Sequence, residues 1–151
     1  MNEDEKWMRV AISEAKLAKS KGEVPVGAVL IQDGNLIVSG HNQSIINNDP
    51  TAHAEINVLR KAGKKLNNYR LINTSIYVTL EPCAMCLGAM MHARIDQIIY
   101  GALDPKTGVC GTCANLTSEI FFNHKINSKG GILEKECRLL LQSFFKLKRD
   151  N

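Results

Sequence analysis

Thr51-Ala52-His53-Ala54-Glu55 and, downstream, Leu80-Glu81-Pro82-Cys83-Ala84-Met85-Cys86 are the stretches around which the rest of the chain is organised. They supply one imidazole, one carboxylate and a Cys-x-x-Cys pair. A neutral imidazole and two thiolates are good zinc ligands. Three protein ligands leave the fourth tetrahedral position to water, whereas a closed structural site fills it with a fourth side chain. His53, Cys83 and Cys86 are therefore read as metal ligands. Glu55, two residues from His53, is read as the group that handles protons beside the water at the open position.

The spacing around these residues supports one shared site. Pro82 suits the first turn of a helix, where its missing N–H costs nothing. Cys83 and Cys86 stand at i and i+3, so they share a face near that helix start. The positive end of the helix dipole favours thiolates there. His53 and Glu55 are about 200° apart around a helix. Both reach one ion only where their helix directs its N-terminus at it. Asp49-Pro50-Thr51 reads as the turn and cap before that helix. Two helix starts are expected to meet at one ion.

Working outward, Trp7, Val10, Ala11, Ala15 and Ala18 fall at helical spacing, broken by the polar Glu14, and Gly22 ends that helix. Val26 to Ile31 reads as a strand and Leu36 to Val38 as the next, with Asp33-Gly34 a hairpin turn between them. A polar loop from Gly40 to Pro50 leads to a helix from near His53 to about Lys65. Ser75 to Leu80 reads as a buried strand running into the Cys-x-x-Cys helix, and Gln97 to Ala102 as another strand. Asp104 to Thr112 is rich in turn residues. A short helix is expected around Ala114 to Ile120, and an edge strand at His124 to Asn127. Glu134 to Lys148 is a helix with Leu140, Leu141, Phe144 and Phe145 on one side. Helices follow strands after the first hairpin, which predicts an α/β fold with one mixed sheet covered on both faces.

The bulk properties bound the function. A chain of 151 residues is expected to form a single domain, residues 1–151, with one ordinary core. The apolar fraction of 44% and charged fraction of 23% are those of a soluble globular protein. The net charge of +4 permits nucleic-acid binding without demanding it. The acidic start Met1-Asn2-Glu3-Asp4-Glu5 is the opposite of a signal peptide's basic start, and no apolar run is long enough to span a membrane. Five cysteines with two Cys-x-x-Cys pairs fit a reducing cytosol better than a disulfide framework, so a cytoplasmic location is expected.

His-x-Glu followed by Pro-Cys-x-x-Cys is the signature of the zinc nucleobase deaminases. Beyond it, the chain resembles the bacterial tRNA adenosine deaminases in Glu23-Val24-Pro25-Val26-Gly27-Ala28-Val29, in Asp49 to Glu55, in Asn68-Tyr69-Arg70-Leu71, in Tyr77 to Cys86 and in Phe144-Phe145. Together these run from near Trp7 to Arg149. The resemblance implies a cytidine-deaminase-like three-layer fold, with a mixed central β-sheet covered by helices. It implies zinc-dependent hydrolytic deamination of adenosine to inosine at the wobble position of a tRNA anticodon. It implies one zinc per chain, the tRNA anticodon stem-loop as partner, and a homodimer in which both chains shape the RNA site. A duplex hides the reacting atom, so the target base must be unstacked from its loop.

The same resemblance implies roles for further residues. Asn42 stands where the family has an asparagine that contacts the nucleoside; a loop asparagine is otherwise a turn residue. Val26 would line the base pocket. Asp104 matches a position that faces the RNA, although a loop aspartate is ordinarily a solvated turn residue. Lys146, Lys148 and Arg149 match a segment that meets the RNA backbone; otherwise they complement the dipole of the last helix. His41, His92 and His124 are left as structural residues.

Two rival readings stand beside this one. The same zinc chemistry would serve a deaminase of a free base or nucleoside of guanine or cytosine type. Alternatively, Cys110-Gly111-Thr112-Cys113 with Cys83 and Cys86 resembles a four-cysteine zinc ribbon, a nucleic-acid-binding module rather than an enzyme. The ribbon leaves His53 and Glu55 unused. The family does not require Cys110 and Cys113; they read as small core residues or a redox-sensitive pair.

Overall fold

The computed structural model describes residues 1–150. Helix α1 spans Glu3–Ser20. The Asn2 side chain accepts the Glu5 N–H at 2.8 Å, and three acidic residues fill the first turn, the arrangement a helix N-terminus favours. Its buried face is Trp7, Met8, Ala11, Ile12, Ala15 and Ala18. Strands β1 (Gly27–Gln32) and β2 (Asn35–His41) form the first hairpin. Asp33 and Gly34 both take positive φ, 52° and 75°, as a two-residue turn matched to strand twist requires. Then follow α2 (Ala54–Leu66), β3 (Thr74–Leu80), α3 (Ala84–Ala93), β4 (Gln97–Ala102), β5 (Asn127–Lys129) and α4 (Glu134–Asp150).

The sheet order is β2-β1-β3-β4-β5. β1 runs antiparallel to both neighbours, while β3, β4 and β5 are parallel. Strand alternation divides the core in two. Ala28, Leu30, Ile76, Val78, Ile98 and Tyr100 pack with Val58, Leu87 and Met90 of α2 and α3. Val29, Ile31, Tyr77 and Ile99 pack with α1 and α4. This is the mixed, doubly covered α/β sheet expected. Parallel β3 and β4 both end toward α3, which starts directly after β3. That places the Cys-x-x-Cys segment at the carboxyl end of the parallel strands, where open α/β sheets carry their sites.

Several local expectations need correction. β2 runs on to His41, so the loop to Pro50 begins later than Gly40. Pro82 precedes the N-cap of α3, which is Cys83, and so lies outside the helix rather than in its first turn. No helix forms at Ala114 to Ile120; only a 3₁₀ turn at Ile120–Phe122 follows it. There Gly111 N–H bonds the Ala114 carbonyl, and the Asn115 side chain accepts Thr117 N–H and Oγ. Such local side-chain bonds compete with helix. The edge strand is Asn127–Lys129 rather than His124 to Asn127. Ile126 N–H is engaged by Thr117, and the His124 ring by the Ile95 carbonyl, so the ladder starts after them. On α4, Phe144 is buried but Phe145 is 47% exposed. Among the described residues no helix is long and apolar enough to cross a membrane.

Candidate active site

His53 and Cys83 are the N-cap residues of α2 and α3, and neither makes a side-chain capping bond. Their ring and thiol are thereby free to face a common point. Cys86, one turn into α3, is fully buried behind them. His53 Nδ1 lies 3.5 Å from Cys86 Sγ and 3.8 Å from Cys83 Sγ. A tetrahedral zinc with bonds of about 2.0 Å to nitrogen and 2.3 Å to sulfur requires an N···S separation of about 3.6 Å. The donor set therefore fits zinc in kind and in spacing, with all three atoms within 4.8 Å of one another. Three donors leave one tetrahedral position for the reacting water.

The three donors differ in how tightly they hold a proton: the hydrogen bond with Cys83 raises the His53 ring above its ordinary value. The Cys83 thiol is held down to about 4, first by the hydrogen bond from Cys86 and then by the His53 ring. The same contact pushes Cys86 up. Glu55, in the first turn of α2, is 4% exposed. Burial is the main reason its carboxyl is raised to about 7, and the neighbouring Cys83 adds to it. Glu55 thus stands beside the donor set without being one of its members.

The approach to α2 is set by a different residue from the one expected. Asp49 does make a turn, accepting Thr51 N–H at 2.8 Å and Thr51 Oγ at 2.7 Å. The start of α2 is capped instead by Asn42, whose Oδ1 accepts the Ala54 N–H at 2.7 Å. Asn42 N–H in turn donates to the Val26 carbonyl at 3.1 Å. Asn42, Val26 and the His53–Glu55 segment are therefore joined. The Asp104 carboxylate is engaged within its own loop, accepting Lys106 N–H, Thr107 N–H and Thr107 Oγ. Lys146, Lys148 and Arg149 occupy the exposed end of α4, without ion-pair partners among the described residues.

The cysteines downstream do not join the site. Among the described residues the only metal-competent cluster is His53, Cys83 and Cys86. Cys110 is buried, and burial raises its thiol to about 12. Cys113 is exposed and directs its thiol to the Asp104 and Pro105 carbonyls. The zinc-ribbon alternative is thereby overturned.

Two carboxylates were missed in the sequence. Glu81, beside Pro82, is buried and accepts the N–H groups of Asp104, Cys110 and Thr112 at 3.0–3.1 Å, with the Thr112 hydroxyl as a fourth donor. It ties the 104–112 loop to the strand end that leads into Cys83. Glu23, equally buried, accepts Ile45 and Ile46 N–H at 3.0 and 2.7 Å and holds the loop after Asn42. Both lie in stretches that carry the family resemblance, Glu23 to Val29 and Tyr77 to Cys86, but no role was read from that. His41 and His124, read from the sequence as structural residues, meet Glu14 and the Ile95 carbonyl.

Comparison with known proteins agrees with this chemistry. Residues 1–102 match the family model for the cytidine and deoxycytidylate deaminase zinc-binding region. A tRNA-specific adenosine deaminase of Haemophilus influenzae is 47% identical over 148 residues, covering 97% of this chain and 86% of that protein. A structure solved in work on A-to-I editing by tRNA:A34 deaminases, at the wobble position of transfer RNA, superposes with a TM-score of 0.87 at 41% identity. That match covers 90% of this chain and 99% of the other. A guanine deaminase of Bacillus subtilis is also 41% identical, but matches 68% of this chain and 66% of its own at a TM-score of 0.64.

Proposed function

The chain belongs to the zinc-dependent cytidine and deoxycytidylate deaminase family and, within it, to the tRNA-specific adenosine deaminases, and from that premise we propose that it hydrolyses adenosine to inosine at the wobble position of a tRNA anticodon. The observation that carries the reading is the three-donor cluster of His53, Cys83 and Cys86 with the buried Glu55 at its side. Zinc held by His53, Cys83 and Cys86 would supply a Lewis acid that makes water more nucleophilic near neutral pH. Glu55 takes a proton from the attacking water as its oxygen adds to C6 of adenine. It delivers that proton to ring N1, then takes the proton of the hydroxyl added at C6 and passes it to the departing amine. The C6–N bond breaks, ammonia leaves, and a carbonyl acceptor replaces an exocyclic donor on the Watson–Crick edge.

Asn42 holds the nucleoside from the mouth of the site, Val26 lines the base pocket, and Asp104 faces the RNA from the loop that Glu81 anchors. Lys146, Lys148 and Arg149 meet phosphates. The whole chain acts as one deaminase domain and pairs with a second copy. The open groove between the outer faces of α2 and α3, where Ile56, Leu59 and the exposed Tyr69 lie beside Arg60, Lys64 and His92, is the surface we assign to that pairing.

The test is incubation with a transcribed tRNA pool, followed by sequencing for adenosine-to-inosine changes. Conversion confined to the anticodon wobble position is expected. Ammonia release from free guanine or cytosine, with none from an anticodon stem-loop, would overturn the reading in favour of a free-base deaminase.

A further inference from the structure

Glu14 and His41 form a polar pair that the deamination chemistry does not use. Glu14 sits on α1, on the sheet face opposite α2 and α3. Strand alternation sends Ser39 and His41 of β2 toward α1. Gly40 between them faces α2, where a Cβ would stand 3.3 Å from Val58. One carboxylate takes both side chains: Ser39 Oγ donates to Glu14 Oε1 at 2.9 Å, and His41 Nδ1 to Oε2 at 2.6 Å. A carboxylate only accepts, so the proton lies on Nδ1. The His41 side chain is 8% exposed, so this is not a solvated surface pair. Its approach is prepared by Gly27, the partner of His41 across the hairpin. A Cβ on Gly27 would clash with the α1 backbone at Ala11 and Ala15 and would stand 2.8 Å from the Glu14 Cβ.

The consequence lies one residue on. β2 is an edge strand, and among the described residues no neighbour lies on its outer side to hold its end. Side chains do so instead. Glu14 fixes the His41 ring from the α1 face. Asn57 of α2 donates to the His41 carbonyl at 2.8 Å and to the Ala52 carbonyl at 3.3 Å, which fixes it from the other face. The peptide that leads into Asn42 is thus gripped on both sides. With Asn42 Oδ1 bound by the Ala54 N–H, the amide geometry directs the two Nδ2 donors away from the helix start.

We infer that Glu14, acting through His41, is a positioning residue for Asn42, setting the carboxamide that meets the nucleoside. The inference rests on the reading of Asn42 as a nucleoside contact. The mechanism is pre-organisation: a contact group held in place before binding loses less freedom on binding. Losing such positioning weakens binding in ground and transition states alike, so KM rises and kcat does not change.

The experiment is a double-mutant cycle, read as steady-state deamination of an anticodon stem-loop RNA by the zinc-loaded enzyme. Glu14→Met fills similar volume without an acceptor, and Glu14→Ala serves as the second truncation should the first not fold. Either is expected to raise KM about tenfold, a cost of about 1.4 kcal/mol, with kcat within about twofold. Glu14→Gln, which keeps an acceptor for His41, is expected to restore most of the loss. In an Asn42→Ala background, Glu14→Met should raise KM no further. If Asn42→Ala is impaired and the Glu14→Met factor is the same with and without Asn42, Glu14 is only a structural residue and the inference falls. Wild-type KM in the Glu14 truncation overturns it as well. Wild-type KM in Asn42→Ala overturns the Asn42 reading and the inference together.

Discussion

Glu81 Oε2 accepts the backbone N–H of Cys110 at 3.0 Å, joining the residue before Pro82 to a loop far along the chain. The same oxygen takes Thr112 N–H, and Oε1 takes Asp104 N–H. Glu81→Gln would turn an NH₂ donor toward donors that now have an acceptor. An unsatisfied buried donor costs about 1–3 kcal/mol, and at least one is left. We expect unfolding free energy to fall by at least about 1–3 kcal/mol, measured by urea titration of the zinc-loaded protein. A change under about 0.5 kcal/mol would mean that water or loop movement takes over the role.

The metal depends on one histidine and two cysteines. Metal analysis of the Cys110→Ser/Cys113→Ser double variant should still give one zinc per chain, because neither residue belongs to the donor cluster. His53→Ala should lose it. Zinc lost in the first variant and kept in the second would revive the four-cysteine site.

The donor cluster was legible because its chemistry is concentrated in two short stretches, and because His53 and Glu55 reach one ion only from a helix start. The hairpin was legible because Asp33-Gly34 encodes its own backbone. Glu81 and Glu23 were not, since their partners are backbone groups at least 22 residues away. No side-chain pattern marks a loop that needs an acceptor. Glu14 read as a polar break in an apolar stripe; its meaning depends on β2 lying against α1. Phe145 shares the apolar side of α4 in the sequence pattern, but the contact with the sheet is made by Cys137, Leu140 and Leu141 nearer the helix start, and Phe145 beyond them stays exposed.

Asp4 gives stability a dependence on acid. It accepts the Tyr77 hydroxyl at 2.7 Å and pairs with Lys129, joining α1 to β3 and β5. Burial alone would raise its pKa, yet the bonds from Lys129 and Tyr77 and the Lys129 charge outweigh that and hold it below the usual value. The unfolded chain therefore takes up this proton first. The contribution is present above the unfolded pKa of about 3.9 and is lost as pH falls through the folded value. Asp4→Asn should flatten the decline in melting temperature below about pH 4. Parallel curves for variant and wild type would show that the pair contributes nothing.

Glu55 is buried beside the donor cluster but is not part of it. Glu55→Ala should therefore keep zinc and fold while losing turnover. General acid–base help is commonly about 10² to 10⁴-fold. One carboxyl here serves several proton transfers, so the loss should reach the upper end or beyond. Near wild-type deamination by this variant would refute the assignment.

Lys146, Lys148 and Arg149 test whether the end of α4 meets RNA. They lie in the last turns of the helix, exposed, with Lys148 Nζ 5.5 Å over the Phe144 ring. Cations at a helix C-terminus complement its dipole by about 0.3–1 kcal/mol, and a helical role alone predicts no more than a slightly lower melting temperature when all three become Gln. Phosphate contact predicts something different. Each neutralised phosphate releases counterions, so log affinity falls with log salt by about 0.7 per contact on single strands and 0.9 on duplex. Such contacts carry no sequence information, so weakening should be similar for different anticodon stem-loops. We expect the triple Gln variant to bind an anticodon stem-loop more weakly and with a salt slope shallower by at least about 0.7, at unchanged zinc content. Titrations at several salt concentrations decide it, because a helical role leaves the slope where it was, whatever it does to the melting temperature.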